Sequence, residues 1–330
     1  TVISVRVRSD IDVKAVYSPS HPLAVTRKSD REVEASFEQS RTRQDRDFLL
    51  YVGRSEDRVG GSVLTNRAVG EDGTFLAVFA PAVAPADAAA VPKDVVFVLD
   101  TSGSMREHDK IGQAKRALTY GVNVLRPEDR FNVVAFSSQT RPFREGLVPV
   151  TAETKAAAAT WIGDLRAAGG TWIERGLQTA LAMGSKERLF LVVCLTDGKP
   201  TLGEVLTSAL VRTVNAANVS NARVFTFGVG FDLQVELLDE IAEATRGARD
   251  YVLPKDEMEI VTSRFFRKVV EPVLTDVEVD FGGVVHDVYP SKLPDLFAGG
   301  QLVVMGRYAE PGRRTVRLRG KVGAKEVEYV

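Results

Sequence analysis

Five apolar residues, Val95 to Leu99, run without a break into Asp100. A continuous apolar run of this kind suits a strand buried on both faces of a parallel sheet. The chain then turns through Thr101, Ser102, Gly103 and Ser104. Asp100, Ser102 and Ser104 are therefore spaced D-x-S-x-S on one tight loop at the strand's end. One carboxylate and two hydroxyls are hard oxygen donors, which suit Mg²⁺ or Mn²⁺ rather than a soft metal. Alone the spacing is a weak signal, because Ser and Asp also crowd ordinary turns and cap helices.

Two later stretches extend the pattern. Ala168-Gly169-Gly170-Thr171 places a hydroxyl after two glycines, just before a helical pattern, and Leu189 to Thr196 is a second apolar strand running into Asp197-Gly198. D-x-S-x-S, then G-G-T, then T-D-G resembles the metal-ion-dependent adhesion site of von Willebrand factor type A domains. The resemblance implies a divalent cation at Asp100, Ser102, Ser104, Thr171 and Asp197. Mg²⁺ is the expected ion, with Mn²⁺ or Ca²⁺ as alternatives. It also implies that Ser102 and Ser104 bind directly and that some carboxylate contacts pass through water.

Residues 1–92 read as β, with strands at Val2 to Val7, around Phe37, at Phe48 to Val52 and at Thr74 to Phe79. Ser18-Pro19, Gly60-Gly61 and Glu71-Asp72-Gly73 read as turns. The mixed-charge run Arg41 to Asp47 reads as a solvated hairpin loop, and His21 as a loop residue rather than a ligand. Pro81 to Pro92 is Pro/Ala-rich and reads as a linker. From Asp94 the rhythm becomes strand-helix alternation, which implies a doubly wound, mainly parallel sheet with helices on both faces. Helical stripes run over Ile111 to Leu125, Thr151 to Leu165, Ile173 to Leu181, Glu204 to Ala217, and from a cap at Asp232 to Gly247. Strands fall at Arg130 to Ser137, Phe143 to Val148 (an edge), Leu189 to Thr196, Arg223 to Gly228 and Asp250 to Val252. Asp256 and Glu259 read as a capping box opening a last helix through Val270, with Val261, Phe265 and Val269 on one face and Pro272 ending it. Beyond it the pattern returns to β over 271–330, with Asp295 to Gly300 as a loop. In a doubly wound sheet, ligands bind beyond the carboxyl ends of the strands where strand order reverses, which is where Asp100 and Asp197 fall.

The likeness is wider than the central pattern. AVYSPSH (Ala15 to His21), DFLLYVG (Asp47 to Gly53), GEDGTFL (Gly70 to Leu76), LTDGKPTLGE (Leu195 to Glu204), RVFTFGVG (Arg223 to Gly230) and LPDLFAGGQLVVMGRY (Leu293 to Tyr308) resemble the inter-alpha-trypsin inhibitor heavy chain family, which joins a VIT domain to a type A domain. The richness in Ala, Val and Arg points to a bacterial relative. The front of the VIT region is absent from the match, so the chain reads as a piece of a longer protein. The C-terminal glycosaminoglycan attachment signal of the animal members is not visible either. The expected organisation is a β-sandwich formed by 1–92 and 271–330, with the type A domain, 93–270, inserted between its halves.

Charge and composition narrow the function. The 43 basic and 44 acidic side chains leave a net charge of −1, so no global field points to nucleic acid or a membrane surface. No apolar run is long enough to span a bilayer. The single cysteine, Cys194, sits inside an apolar strand and reads as a core residue; no intrachain disulfide exists to fix a redox compartment. A Mg²⁺ held by hydroxyls and two carboxylates keeps a coordination position for an outside donor, and an Asp or Glu from a protein partner is the natural one. The reading is thus a non-enzymatic, metal-dependent adhesion module, extracellular or on the cell envelope. The alternatives are a Mg²⁺-dependent hydrolase or phosphoryl-transfer enzyme, and a subunit of an ATPase-coupled chelatase-like complex. No P-loop, G-x-S-x-G or H-E-x-x-H pattern supports catalysis, and the histidines number only three: His21, His108 and His286. His108, close to the first loop, reads as a solvated helix-start residue. Sliding of the 256–270 helix is the further option that the resemblance implies for switching.

Overall fold

Asp94 to Asp100 are all buried, on both faces of a strand that runs Lys93–Asp100 at the middle of a seven-stranded sheet. The computed structural model describes residues 2–18, 21, 23–38, 48–54, 59–81, 92–230, 233–252, 272–297, 301–322 and 325–330. It divides into two units, Val91–Val270 and the pair Thr1–Ala90 with Glu271–Val330.

In the central unit the strand order is Thr140–Pro142, Arg130–Phe136, Lys93–Asp100, Leu189–Thr196, Arg223–Val229, Arg249–Val252, with Val148–Pro149 also on Arg130–Phe136. The four central strands run parallel, as does Arg249–Val252 beside its neighbour, while Thr140–Pro142 is antiparallel at the edge. Helices α1 (Lys110–Asn123), α2 (Ala152–Asp164), α3 (Ile173–Leu181), α4 (Thr207–Ala217) and α5 (Val235–Ala244) alternate with them. Val96, Val98, Val192, Cys194 and Val224 face Ile173, Leu177, Leu210, Val214, Leu237 and Ile241 across one side of the sheet. Residues between them, such as Phe97, Leu99, Val193, Leu195 and Phe225, are buried on the other side. Burial on both faces explains the unbroken apolar runs. Thr151 caps α2 in a reciprocal pair with Thr154.

The other unit is all β. One sheet orders Val285–Tyr289, Leu302–Tyr308, Gly73–Pro81 and Val59–Asn66; the second orders Leu296–Phe297, Pro272–Asp280, Arg317–Val322 and Lys325–Tyr329. Strands from both ends of the chain pair directly, from Leu302 opposite Phe79 to Tyr308 opposite Gly73. Phe75, Ala77 and Phe79 then meet Leu274, Val277, Leu296 and Leu318 in one shared core. A smaller layer, Val2–Arg8, Glu32–Glu38 and Ala24–Ser29 with the pair Val13–Tyr17 and Tyr51–Arg54, encloses Val13, Val16, Val33 and Ala35. His21 packs edge-on to Phe37, ring centroids 4.7 Å apart.

Several sequence expectations need correction. Gly60-Gly61 is no turn but the start of Val59–Asn66, where Gly61 faces Phe79; a Cβ on Gly61 would stand 3.3 Å from that ring. The edge strand lies not at Phe143 to Val148 but in two short pieces, Thr140–Pro142 and Val148–Pro149, because Phe143 turns inward. Within the Asp295 to Gly300 stretch, Leu296–Phe297 is a short strand paired with Pro272–Asp280. Helix α4 starts at Thr207, three residues later than read, since Glu204 spends its carboxylate on the Leu206 N–H. The linker core 82–91, the run Arg41 to Asp47, the cap at Asp232 and the helix from Asp256 to Val270 lie outside the described residues.

Candidate metal centre

Strand order reverses beside the central strand. Arg130–Phe136 lies on one side of Lys93–Asp100 and Leu189–Thr196 on the other. Loops leaving the two strands diverge there and open a crevice at their carboxyl ends. Asp100 is the last residue of one strand and Asp197 follows the last residue of the other, in a parallel register that sets Leu99 opposite Leu195.

Asp100 is fully buried and held on both oxygens: Oδ1 accepts from the Ser102 N–H at 2.7 Å and Oδ2 from the Thr196 hydroxyl at 2.6 Å. Desolvation pushes its carboxyl up to about 6, against the pull of the Thr196 and Ser102 hydrogen bonds, and the charge of Asp197 adds to the rise. Ser102 is buried, and its Oγ lies 3.1 Å from Ser104 Oγ on the more exposed side of the loop. Beyond Ser104 the chain forms a 3₁₀ segment, Gly103–Asp109, broken at Glu107 and His108, and then enters α1.

The second loop is sewn to the first through its backbone. Ala168 N–H donates to Thr101 O at 2.7 Å, and Gly103 N–H donates to Gly169 O at 2.9 Å. Both glycines of G-G-T are sterically required. Gly169 has φ +86° and a Cβ there would meet Ser138 Oγ at 2.8 Å; one on Gly170 would meet Leu202 and Thr201 at 2.9 Å. Thr171 is buried, its N–H bonded to Thr201 Oγ1 at 2.8 Å and its carbonyl accepting from Thr201 and Leu202. The third loop ties back through Thr196, whose hydroxyl also accepts from Gly198 N–H at 2.9 Å.

Asp197 is buried too. Its Oδ2 lies 3.4 Å from Lys110 Nζ, while its buried Oδ1 has no hydrogen-bond partner among the described residues. An orphaned buried carboxylate oxygen is costly unless a cation or a water satisfies it. The five predicted residues thus stand on three loops that hydrogen bonds join, and they offer two carboxylates and three hydroxyls. This donor set fits a small hard cation and not a soft one. Among the described residues there is no group of three or more His, Cys, Asp or Glu placed to hold a metal, so hydroxyls must supply the rest of any shell. His108 is exposed, with φ 52°.

Two functional roles escape the sequence pattern. Thr196, which stands in T-D-G without an assigned role, fixes the Asp100 carboxylate from the adjoining strand. Lys110 brings a buried ammonium to Asp197 from the first turn of α1. A lysine at the positive end of a helix dipole is the one local sign that it has another task.

Comparison with known proteins bears on the same region. Residues 93–250 match the family model of the von Willebrand factor type A domain. Human inter-alpha-trypsin inhibitor heavy chain H4 is 29% identical over 308 residues, covering 90% of this chain and 32% of its own length. Heavy chain H2 of Mesocricetus auratus is 30% identical over 250 residues, 73% of this chain and 26% of its own. The chain spans about a third of the length of such curated relatives. Among solved structures, a von Willebrand factor type A protein from Catenulispora acidiphila aligns with a TM-score of 0.63 at 19% identity, covering 81% of this chain and 71% of that one. At that identity the likeness shows the fold alone.

Proposed function

With residues 93–250 a von Willebrand factor type A domain in a chain akin to the inter-alpha-trypsin inhibitor heavy chains, we propose that this protein is a metal-dependent binding module. Asp100, Ser102, Ser104, Thr171 and Asp197 hold a Mg²⁺, with Mn²⁺ or Ca²⁺ as substitutes. The ion captures an Asp or Glu side chain of a protein partner. The observation that carries the reading is the buried Asp197 Oδ1 without a partner, at the strand ends where Ser102 and Ser104 present paired hydroxyls.

The chain's own residues then have separate tasks. Ser102, Ser104 and Thr171 supply neutral oxygens, which leave the ion under-neutralised and receptive to an outside carboxylate. Thr196 and the Ser102 N–H orient Asp100. The surface around Thr171 adds contact area: Leu202, Val205 and Leu206 are exposed apolar residues on the loop that binds its backbone. On the Ser104 side, a cavity of about 460 Å³ is lined by Arg106, Lys115 and Arg166, against the single carboxylate of Asp109, with Ile111 and Leu165. These cations suit an acidic partner.

Binding is favoured over catalysis. The hydrogen bonds and ion pair described at the site join carboxylates, hydroxyls, backbone N–H groups and one ammonium. No helix among the described residues is long and apolar enough to cross a membrane. An extracellular or cell-envelope setting goes with the heavy-chain likeness. Isothermal titration of the protein and of Asp100→Ala with Mg²⁺ is the direct test. Wild type should bind and the variant should not; equal affinity would remove the assignment. A phosphatase assay on the pure protein should read at the blank.

A further inference from the structure

Lys110 occupies an adverse position. Its side chain is 5% exposed, so the ammonium is largely out of water, and it is the first residue of α1, where the helix dipole disfavours a cation. The fold nevertheless makes room for it. Gly230, with φ +119°, lies beside the lysine stem, and a Cβ there would stand 2.7 Å from Lys110 Cε. The stem delivers Nζ to 3.4 Å from Asp197 Oδ2 and 3.8 Å from the exposed carboxylate of Glu107. At 3.4 Å the contact with Asp197 is longer than an ordinary charge-assisted hydrogen bond. Asp197 Oδ1 has no partner among the described residues. The ammonium therefore balances the charge of Asp197 without filling its coordination.

We propose that Lys110 is the resident cation of the site and sets the threshold for metal binding. In the metal-free protein it offsets the mutual repulsion of Asp100 and Asp197, two buried carboxylates on neighbouring strands. A divalent ion that enters must share Asp197 with it, and like charges a few ångströms apart repel strongly where water is excluded. With ion and ammonium both present, the two carboxylates leave one positive charge in excess. An incoming carboxylate cancels that charge. Lys110 thereby weakens the binding of metal alone and favours metal bound together with an acidic ligand. The inference rests on the metal reading above, and its test separates the two.

The test compares wild type with Lys110→Met, which keeps an apolar stem, Lys110→Gln as a second neutral variant, and Lys110→Arg, which keeps the charge. Each is titrated with MgCl₂ by calorimetry and melted in EDTA and in Mg²⁺. The neutral variants should bind Mg²⁺ at least about tenfold more tightly than wild type. They should also melt lower than wild type in EDTA and gain more from added Mg²⁺, while Lys110→Arg stays near wild type. Equal Mg²⁺ affinity in wild type and both neutral variants overturns the role of Lys110 and leaves the metal centre standing. Binding by no variant overturns the metal centre and this inference together. A neutral variant that folds only with Mg²⁺ supports the inference, because the ion then replaces the missing charge.

Discussion

At the scale of single residues, burial decides the chemistry. Asp100 titrates near 6 because desolvation outweighs its two hydrogen bonds. Between pH 6 and 4 the folded, metal-free protein holds that proton more tightly than the unfolded chain, so this residue adds stability as pH falls through 6. At pH 7 the ionised group costs about 3 kcal/mol. Melts in EDTA at pH 5 and pH 7, with Asp100→Asn subtracted, should show that gain on acidification; no difference between the proteins would refute it. Metal needs the ionised form, so Mg²⁺ affinity should be flat above pH 7 and fall up to tenfold per unit below 6. At the opposite end of the same strand, Lys93 and Asp129 form a fully buried ion pair, Nζ to Oδ2 2.7 Å, with Asp129 also accepting from two backbone N–H groups. Burial lowers the lysine's pKa and the aspartate opposes that shift. Asp129→Ala leaves an uncompensated buried ammonium and should cost about 3–5 kcal/mol in urea unfolding. Asp100, Ser102 and Ser104 are legible in the sequence because they share one loop. The contacts of Lys110, Thr196 and Asp129 are not, because their partners come from other elements and only the fold brings them together.

At the scale of elements, helices and loops transmit packing to the site. Helix α3 begins two residues after Thr171 and lies so close to the sheet that a Cβ on Gly176 would stand 2.8 Å from the buried ring of Phe136. The carbonyl of Phe136 in turn holds Thr101, through its N–H at 2.7 Å and its hydroxyl at 2.9 Å. Gly176→Ala should therefore destabilise the protein by about 1–3 kcal/mol and also weaken Mg²⁺ binding, although it touches none of the five donor residues. A variant that lost stability with unchanged Mg²⁺ affinity would show that α3 and the loop are uncoupled. The buried parallel strands are the most legible elements, since their apolar runs have only one comfortable setting. The edge strand was misplaced because Phe143 looks like strand sequence yet is needed inside, against Phe131 and Trp161. Gly60-Gly61 departs from expectation for the converse reason: two glycines usually mean a turn, and here Gly61 gives Phe79 space across a sheet.

At the scale of the whole chain, the pairing of distant strands makes the two flanks a single folding unit. Gly73–Pro81 from one flank is sandwiched in its sheet between Val59–Asn66 and Leu302–Tyr308 from the other. Phe75, Ala77 and Phe79 are buried against Leu274, Val277 and Leu318 of the second sheet, with Val304 beside Ala77 in their own. Without residues 271–330, that apolar face would meet water, at about 25 cal/mol for each Å² exposed, and the strand would become an unpaired sheet edge. In the central unit, among the described residues, the core on one face of the sheet draws every member from residues 96–241. The alternation of β flank, α/β centre and β flank was legible from the change of period at Asp94 and again at Pro272; the strand-to-strand pairing was not, since antiparallel register over such a separation leaves no local mark. These asymmetric dependencies predict two opposite outcomes of dissection. Residues 91–270 expressed alone should unfold cooperatively in urea and keep the Mg²⁺ affinity of the full chain. Residues 1–90 alone should show no cooperative transition and should be digested quickly by protease, and a fragment joining 1–90 directly to 271–330 through a flexible linker should recover both cooperativity and resistance. A stable, protease-resistant 1–90 would show that the shared sandwich is dispensable, and would leave insertion as a matter of chain order rather than of folding.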